Sequence, residues 1–463
     1  MKKPVKTRFA PSPTGFMHFG NVRTAIFNYL YAKSQEGRFL LRIEDTDVAR
    51  SEGSFRDSIF TDLDWLSLLW DEGPYYQSER QGLYDDYYEV LAEQGHTYPC
   101  FCSETQLAIT RKVQLSSGQP PRYPGTCHSL TPEEVAIKKA QGIPWTVRFH
   151  VPKGEVVEFV DLIKGLQRFE TDHIGDFIIR RHDGTASFMY CNAIDDALLG
   201  ITHALRGDDH LTNTPRQILI LKALNLPVPL YGHCPTILGP DSRPLSKRNG
   251  SRSIQELRSE GFLPIGILNY LARLGHHDPD MTLWPLKELA KRFALEHIGK
   301  SPAHFDPQQL QYWQKEAMHH ASFEEYWGLI EQYVADKVPK GEEKSFVETI
   351  QANLLMPGEA VFWTKCFFTD EWSYSDTPEV SETIKKTGKI FYQTAIELYN
   401  NTETAKEFLS ALQNATNMKG KTFFMPIRAA LTATLHGPEL PKIFSLLGHP
   451  QVLKRFKKAL DYA

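Results

Sequence analysis

The sequence predicts an α/β catalytic portion followed by a helical C-terminal half. Three observations carry this. A strand–loop–helix–strand pattern opens the chain, a second α/β stretch resumes after a polar insertion, and helical patterning runs from about residue 253 onward. At roughly 150 residues per domain, 463 residues suggest about three domains.

Residues 5–9 alternate weakly as a first strand. The run Ala10-Pro11-Ser12-Pro13-Thr14-Gly15 ends regular structure, because two prolines fix φ and remove donors while glycine admits positive φ. From Asn21 the apolar positions Val22, Ala25, Ile26, Tyr29 and Leu30 recur at helical spacing, and Gly37 stops the helix. Residues 38–43, RFLLRI, form a buried-strand candidate that ends in Glu44-Asp45-Thr46-Asp47. In open α/β sheets ligands sit beyond the carboxyl ends of the strands, so the PSPTG loop and the EDTD tetrad belong at a binding crevice.

From about residue 98 to 180 the texture changes to cysteines, the polar stretch SSGQPPRYPGTC and strand-like pieces at 145–151 and 156–160, the pattern of an insertion. The α/β pattern then resumes through NAIDDALLG and THALRGDDHLTNTPRQ. Thr214 is a good N-cap with Pro215 at the first helical position, opening a helix through Leu224. A third crossover delivers residues 233–238 into the loop GPDSRPLSKRNGS, and Ser253 with Glu256 can form a capping box.

Apolar residues at 41% and charged residues at 23% exclude fibrous and largely disordered classes. The formal charge of −4 gives no global basicity, so any nucleic-acid contact rests on a local basic face. No apolar segment follows MKKPVKTRFAPSPTG, and no stretch approaches the ~18 apolar residues of a membrane span, so a cytoplasmic protein without membrane contact is expected. Six cysteines are too sparse for a disulfide framework, and Cys100, Cys102 and Cys127 cluster with metal-like spacing.

Two short motifs carry chemistry. His18-Phe19-Gly20-Asn21 opens the first helix: glycine lets a nucleotide approach the backbone, the helix end offers N–H groups to phosphate, and imidazole adds a donor. Leu245-Ser246-Lys247-Arg248 places adjacent cations in a loop that can close over a triphosphate. Alone, the first could be a helix-capping histidine and the second a solvated surface pair. Their order, with a long insertion between, is that of the class I aminoacyl-tRNA synthetases.

With these residues in view, RFAPSPTGFMHFGNVRTA, LRIEDTD, RGDDHLTNTPRQ and PLSKRNG resemble the signature segments of the bacterial glutamyl-tRNA synthetase family. The resemblance runs in order from residue 7 to about 275, with a weaker echo in MPIRAALT at 425–432. It implies a Rossmann-like class I synthetase catalytic domain in two halves, 1–97 and 187–252. An acceptor-binding domain is inserted at 98–186, a helical stem-contact region spans 253–320, and an all-helical anticodon-binding region spans 321–463. The implied activity is ATP-dependent attachment of L-glutamate to tRNA(Glu) through a glutamyl-adenylate, by a monomer, with magnesium on the phosphates. A synthetase-like protein that only binds tRNA is the alternative.

The resemblance also implies roles. Arg8 and Arg206 hold the side-chain carboxylate of glutamate, consistent with guanidinium pairing as the means of choosing a carboxylate over an amide; a surface ion pair is the other reading. Glu44 suits the α-ammonium, Ser12 the same backbone portion of the amino acid or a helix cap, and Asn192 matches a position that contacts the amino acid. His18, Gly20, Lys247 and Arg248 bind ATP, with His18 and Lys247 catalytic. Three departures stand out. Asn21 replaces the usual second histidine, Pro244 stands where the loop commonly has a lysine, and Phe188 replaces a tyrosine whose hydroxyl Tyr190 could restore. Cys100, Cys102 and Cys127 resemble a zinc knuckle whose fourth ligand normally lies two residues after the third cysteine; Ser129 stands there, so either His128 completes a zinc site or the three thiols are free. Residues 351–363 contain no arginine where discriminating relatives read the anticodon's last base, which leaves tRNA(Gln) open as a second acceptor. Lys454, Arg455, Lys457 and Lys458 face either the tRNA backbone or water.

Overall fold

The structure is a computed structural model that describes residues 4–46, 52–246, 249–369 and 371–463. The chain forms two compact units, Met1–Leu257 with Ile267–Gln309, and Arg258–Gly266 with Leu310–Ala463.

In the first unit, β1 (Lys6–Phe9), α1 (Phe19–Ser34) and β2 (Arg38–Ile43) form the expected β-α-β unit with parallel pairing of Arg8 to Leu40. Gly37 is required where β2 begins, since a Cβ there would lie 2.2 Å from the Val5 carbonyl oxygen. After α2 (Gly53–Trp65), β3 (Glu72–Tyr76) adds to β2 in parallel, and α3 (Gln81–Glu93) follows.

The inserted segment contains β4 (Thr97–Cys100), α4 (Glu104–Ser116), α5 (Pro132–Ala140), β5 (Thr146–Phe149), the hairpin β6 (Val156–Asp161) and β7 (Gly165–Glu170), the single turn α6 (Thr171–Ile174), and β8 (Phe177–Arg180). Its strands β4, β5 and β8 pair antiparallel.

The parallel pattern returns with α7 (Phe188–Leu198), β9 (His203–Gly207), α8 (Thr214–Ala223) and β10 (Leu230–Cys234), β9 and β10 being parallel. Thr202, just before β9, donates its N–H to the Lys6 carbonyl at 2.9 Å, which sets β9 beside β1. The turn of the β6–β7 hairpin is tied to β10 by the Leu162 N–H, 2.9 Å from the Tyr231 carbonyl. Gly232 makes this approach possible, because a Cβ there would meet Leu205 at 2.7 Å and Leu162 at 3.4 Å.

Short β11 (Ile237–Leu238) pairs with β12 (Ala303–His304), a strand within the stretch read from sequence as helical. Between them lie α9 (Ile254–Glu260), α10 (Pro264–Arg273) and α11 (Leu286–Arg292). The Ser253–Glu256 capping box is present, with Ser253 N–H 2.7 Å from Glu256 Oε2 and Glu256 N–H 3.2 Å from Ser253 Oγ. Thr214 departs from expectation: Asn213 holds the N-cap position, and the Thr214 hydroxyl serves a side-chain network described below.

The second unit is helical, from α12 (Pro307–His320), α13 (Phe323–Val334), α14 (Glu343–Ile350) and α15 (Ala360–Thr364) through α16 (Pro378–Thr387), α17 (Lys389–Asn400), α18 (Ala405–Thr416) and α19 (Lys421–Thr432) to the last helical segment, Leu440–Tyr462, broken at Gly448. Two of the four C-terminal cations serve the fold. Arg455 is buried and donates to the carbonyls of Leu431 and Cys366, and Lys458 lies 3.9 Å from the Trp372 ring centroid and donates to the Trp372 carbonyl.

A buried ion cluster unites the first unit. Asp196 on α7 accepts from Arg8 Nε at 3.0 Å and Arg42 Nη1 at 2.6 Å, and Arg42 Nη2 reaches Glu44 at 3.2 Å. Burial alone would raise the Asp196 carboxyl, but Arg8 and Arg42 hold it below the ordinary carboxylate range. Replacing Asp196→Asn strands two buried guanidiniums and should lower stability by about 3–5 kcal/mol. Because the folded carboxyl is depressed, its contribution is present above the unfolded carboxyl's range and lost as pH falls through the folded one. Denaturant unfolding at neutral and acid pH should therefore show the difference between the two proteins shrinking on acidification.

Candidate active site

The carboxyl ends of β1, β2, β9 and β10 and the N-terminus of α1 enclose a cavity of about 710 Å³, lined among others by Arg8, Ser12, His18, Gly20, Glu44, Asn192 and Arg206. Seven residues singled out from sequence therefore meet in one place. Lys247 and Arg248 lie outside the described residues, while Pro244 and Leu245 line the same cavity.

Two strands supply the cationic wall. Arg8 Nε pairs with Asp196, and its Nη1 donates to the Leu205 carbonyl on β9 at 3.1 Å. Arg206 is buried, with Nε 3.2 Å from His233 Nε2 and Nη2 2.8 Å from Thr214 Oγ1, and its guanidinium carbon lies 5.0 Å from the Tyr231 ring centroid. Arg206 Nη1 is buried with no hydrogen-bond partner among the described residues. No carboxylate pairs directly with this guanidinium among the described ion pairs, and burial pushes it down to about 10. A buried charged donor of this kind is costly unless an anion meets it.

Glu44 stands at the end of β2, its N–H donating to the Pro11 carbonyl at 3.0 Å and fixing the PSPTG loop above it. Its Oε1 accepts from Arg42 Nη2 and Asn192 Nδ2, and Gln217 Nε2 donates to Asn192 Oδ1 at 3.3 Å. Burial raises the Glu44 carboxyl above its ordinary range despite Arg42 and Arg8, so an ammonium beside it would favour its ionised form. Ser12 is exposed on the loop and lines the cavity.

His18 is the N-cap of α1. Its Nδ1 accepts the Gly20 N–H at 3.2 Å, and Asn21 Oδ1 accepts the His18 N–H at 2.7 Å. In the neutral ring this places the proton on Nε2, a donor at a helix N-terminus, where anions are stabilised. Asn21, a departure from the family pattern, thus has a structural task. A Cβ at Gly20 would come within 3.2 Å of the His18 ring, so glycine keeps that ring seated.

Phe188 stacks on His210, centroids 5.2 Å apart, and lines the cavity. Tyr190 does not restore the missing hydroxyl: it is buried, stacked on Tyr88, and donates to the Tyr84 carbonyl at 2.8 Å. Arg42, Asp196 and His233 shape the site without having been singled out from sequence, and Thr214 was read there only as a helix cap. Of these only Asp196 had a local cue, the paired aspartates of NAIDDALLG.

The cysteine cluster lies apart from the cavity. Cys100, Cys102 and Cys127 bring their sulfurs within 4.8 Å of one another. His128 does not join this set. Its ring stacks on His150 at 4.1 Å and meets the Tyr98 ring edge-on. The Tyr123 hydroxyl is the group among the thiols, 3.4 Å from Cys100 Sγ and 3.5 Å from Cys102 Sγ, while accepting the Cys127 N–H at 2.9 Å. Tyrosine is not among the usual metal-ligating residue types, so nothing in the sequence set Tyr123 apart.

Residues 4–312 match the model of the tRNA synthetases class I (E and Q), catalytic domain, and residues 320–460 match an anticodon binding domain. The chain is 48% identical to a glutamate–tRNA ligase of Coxiella burnetii, over 98% of this chain and 99% of that protein. It is 46% identical to one of Nitrosococcus oceani, over 99% of each. The crystal structure of a glutamate–tRNA synthetase from Elizabethkingia anophelis superposes with a TM-score of 0.86 at 26% identity, covering 99% of this chain and 100% of that one. These matches bear out the expected fold and family. With a class I catalytic unit, a helical anticodon unit and relatives of matching length, the chain belongs to the glutamate-specific branch of the class I aminoacyl-tRNA synthetases, enzymes that use ATP.

Proposed function

We propose that the chain attaches L-glutamate to tRNA(Glu) in two steps. The α-carboxylate of glutamate attacks the α-phosphorus of ATP, releasing pyrophosphate and forming glutamyl-adenylate; the 2′-hydroxyl of the terminal adenosine of tRNA then attacks the acyl carbon and releases AMP. Neither step uses a protein nucleophile, so rate enhancement comes from positioning and from electrostatic stabilisation.

The observation that carries the reading is the buried Arg206, which lines the same cavity as Arg8 and Glu44 and whose Nη1 has no hydrogen-bond partner among the described residues. Arg206 and Arg8 receive the side-chain carboxylate. Glu44, Ser12 and Asn192 receive the α-amino end. His18, Gly20 and the N-terminus of α1, with Lys247 and Arg248, hold the ATP phosphates, whose charge a bound Mg²⁺ would share. The reading includes a monomeric, cytoplasmic enzyme; among the described residues no helix is long and apolar enough to cross a membrane.

A structural zinc fits the chemistry of the Cys100, Cys102 and Cys127 cluster, with the Tyr123 oxygen as the fourth donor in place of His128. Bound there, it would hold the two ends of the inserted loop together and take no part in the reaction.

A second acceptor, tRNA(Gln), is favoured by one observation: residues 351–363 carry no arginine.

Three measurements test these assignments. Arg206→Gln should raise KM for glutamate about a hundredfold in tRNA-dependent pyrophosphate exchange, while wild-type protein that fails to exchange with any glutamate-family tRNA would sink the enzyme reading. Metal analysis of purified protein should find one zinc per chain, lost in Cys102→Ala and Tyr123→Phe and retained in His128→Ala. Aminoacylation of purified tRNA(Glu) and tRNA(Gln) side by side should give glutamylation of tRNA(Glu); charging of tRNA(Gln) as well would mark a non-discriminating enzyme.

A further inference from the structure

Asp161 ends β6 in the inserted segment, 72 residues from its partner His233 on β10. Both side chains are buried, and the reaction described above uses neither. The Asp161 carboxylate is fully engaged. Oδ1 accepts the backbone N–H groups of Ile163 at 2.9 Å, Lys164 at 2.8 Å and His233 at 3.2 Å, and Oδ2 lies 2.5 Å from His233 Nδ1.

These contacts decide where the imidazole proton sits. An ionised carboxylate only accepts, so His233 Nδ1 carries the hydrogen and Nε2 keeps its lone pair. Arg206 Nε donates to that lone pair at 3.2 Å. The Thr214 hydroxyl receives Arg206 Nη2 at 2.8 Å and lies 3.0 Å from the same His233 nitrogen. With Nε and Nη2 both held, the plane of the guanidinium is fixed, and Nη1 is the donor left over on a side chain that lines the cavity. Burial keeps His233 below its ordinary value, while its hydrogen bond and the backbone donors hold Asp161 down against burial, so the neutral ring and the carboxylate are the forms that meet.

We infer that Asp161 and His233 are positioning residues for recognition of the substrate's side-chain carboxylate: Asp161 sets the tautomer of His233, and His233 aims Arg206. This rests on the reading of Arg206 as the carboxylate-binding residue. A second tie runs the same way, since Lys164 of the hairpin turn pairs with Asp208 Oδ2 at 3.3 Å, and Asp208 lines the cavity. The inserted hairpin therefore supports Arg206, through His233, and Asp208 from behind the cavity lining.

Asp161→Asn tests the tautomer step. The amide oxygen keeps the three backbone donors, and its NH₂ then faces His233 Nδ1. That nitrogen must accept, its proton moves to Nε2, and Nε2–H confronts Arg206 Nε–H. KM for glutamate should rise about tenfold or more, the size expected for losing a hydrogen bond to a buried charge, with kcat within about threefold and KM for ATP unchanged. His233→Phe should behave alike. His233→Gln, whose side-chain oxygen can accept from Arg206 Nε, should recover most of the loss, which a purely structural role would not give.

Wild-type KM for glutamate in Asp161→Asn overturns the inference, as does a common fall in all kinetic parameters or equal loss in His233→Phe and His233→Gln. Should Asp161→Asn fail to fold, the two His233 variants decide. In each of these cases wild-type activity leaves the functional reading standing. Absence of wild-type glutamylation overturns that reading, and the inference with it.

Discussion

One carboxylate holds the catalytic unit in register. Asp196 receives guanidinium groups from β1 and β2 on a helix that arrives after the whole inserted segment, so two strands, each more than a hundred and fifty residues away in sequence, converge on its single oxygen Oδ1. Such a pair of contacts is favourable only when desolvation is outweighed by short, well-directed hydrogen bonds. Its functional consequence is a charge imbalance. Arg8 and Arg42 are met by Asp196 and Glu44, whereas buried Arg206 has no carboxylate pairing directly with it among the described ion pairs. An acidic ligand side chain restores the balance and a neutral amide does not.

The second organising constraint is the N-terminal cap of α1. By accepting the Gly20 N–H, the His18 ring gives up one nitrogen to the fold and gains a defined orientation for the other. Asn21 closes the box from the other side. The residue pair that looked like a weakened motif is a complete cap, and the helix end it organises is also the positive end of the helix dipole.

Much of this was legible in the sequence where the signal is local. Prolines and glycine of the PSPTG loop mark the break between β1 and α1, helical spacing marks α1 itself, and ordered motifs mark the crevice where Arg8, His18, Glu44 and Arg206 meet. What escaped was long-range. Thr214 has the look of a helix cap, yet its hydroxyl is claimed by Arg206 and His233, a competition that local propensity cannot express. His128 stands beside a cysteine and so suggests a ligand, but its ring stacks on His150, and the hydroxyl of Tyr123 lies among the thiols. Tyr190 lies two residues from Phe188 on a helix, hence on nearly the opposite face, which is why it packs in the core rather than at the cavity.

The glycine at position 232 gives the inserted segment a meaning beyond its own fold. With no side chain at this one position of β10, the hairpin turn can press against the strand that carries His233, closely enough for Asp161 to supply a carboxylate there. A shortened chain that spliced β4 directly to β8 would keep the parallel strands and the motif loops, yet it would leave the imidazole without the group that fixes its proton. Domain shuffling in this architecture is therefore constrained from inside: the insert can diverge along its outer surface, but it cannot be exchanged whole without bringing an equivalent acid to the same spot.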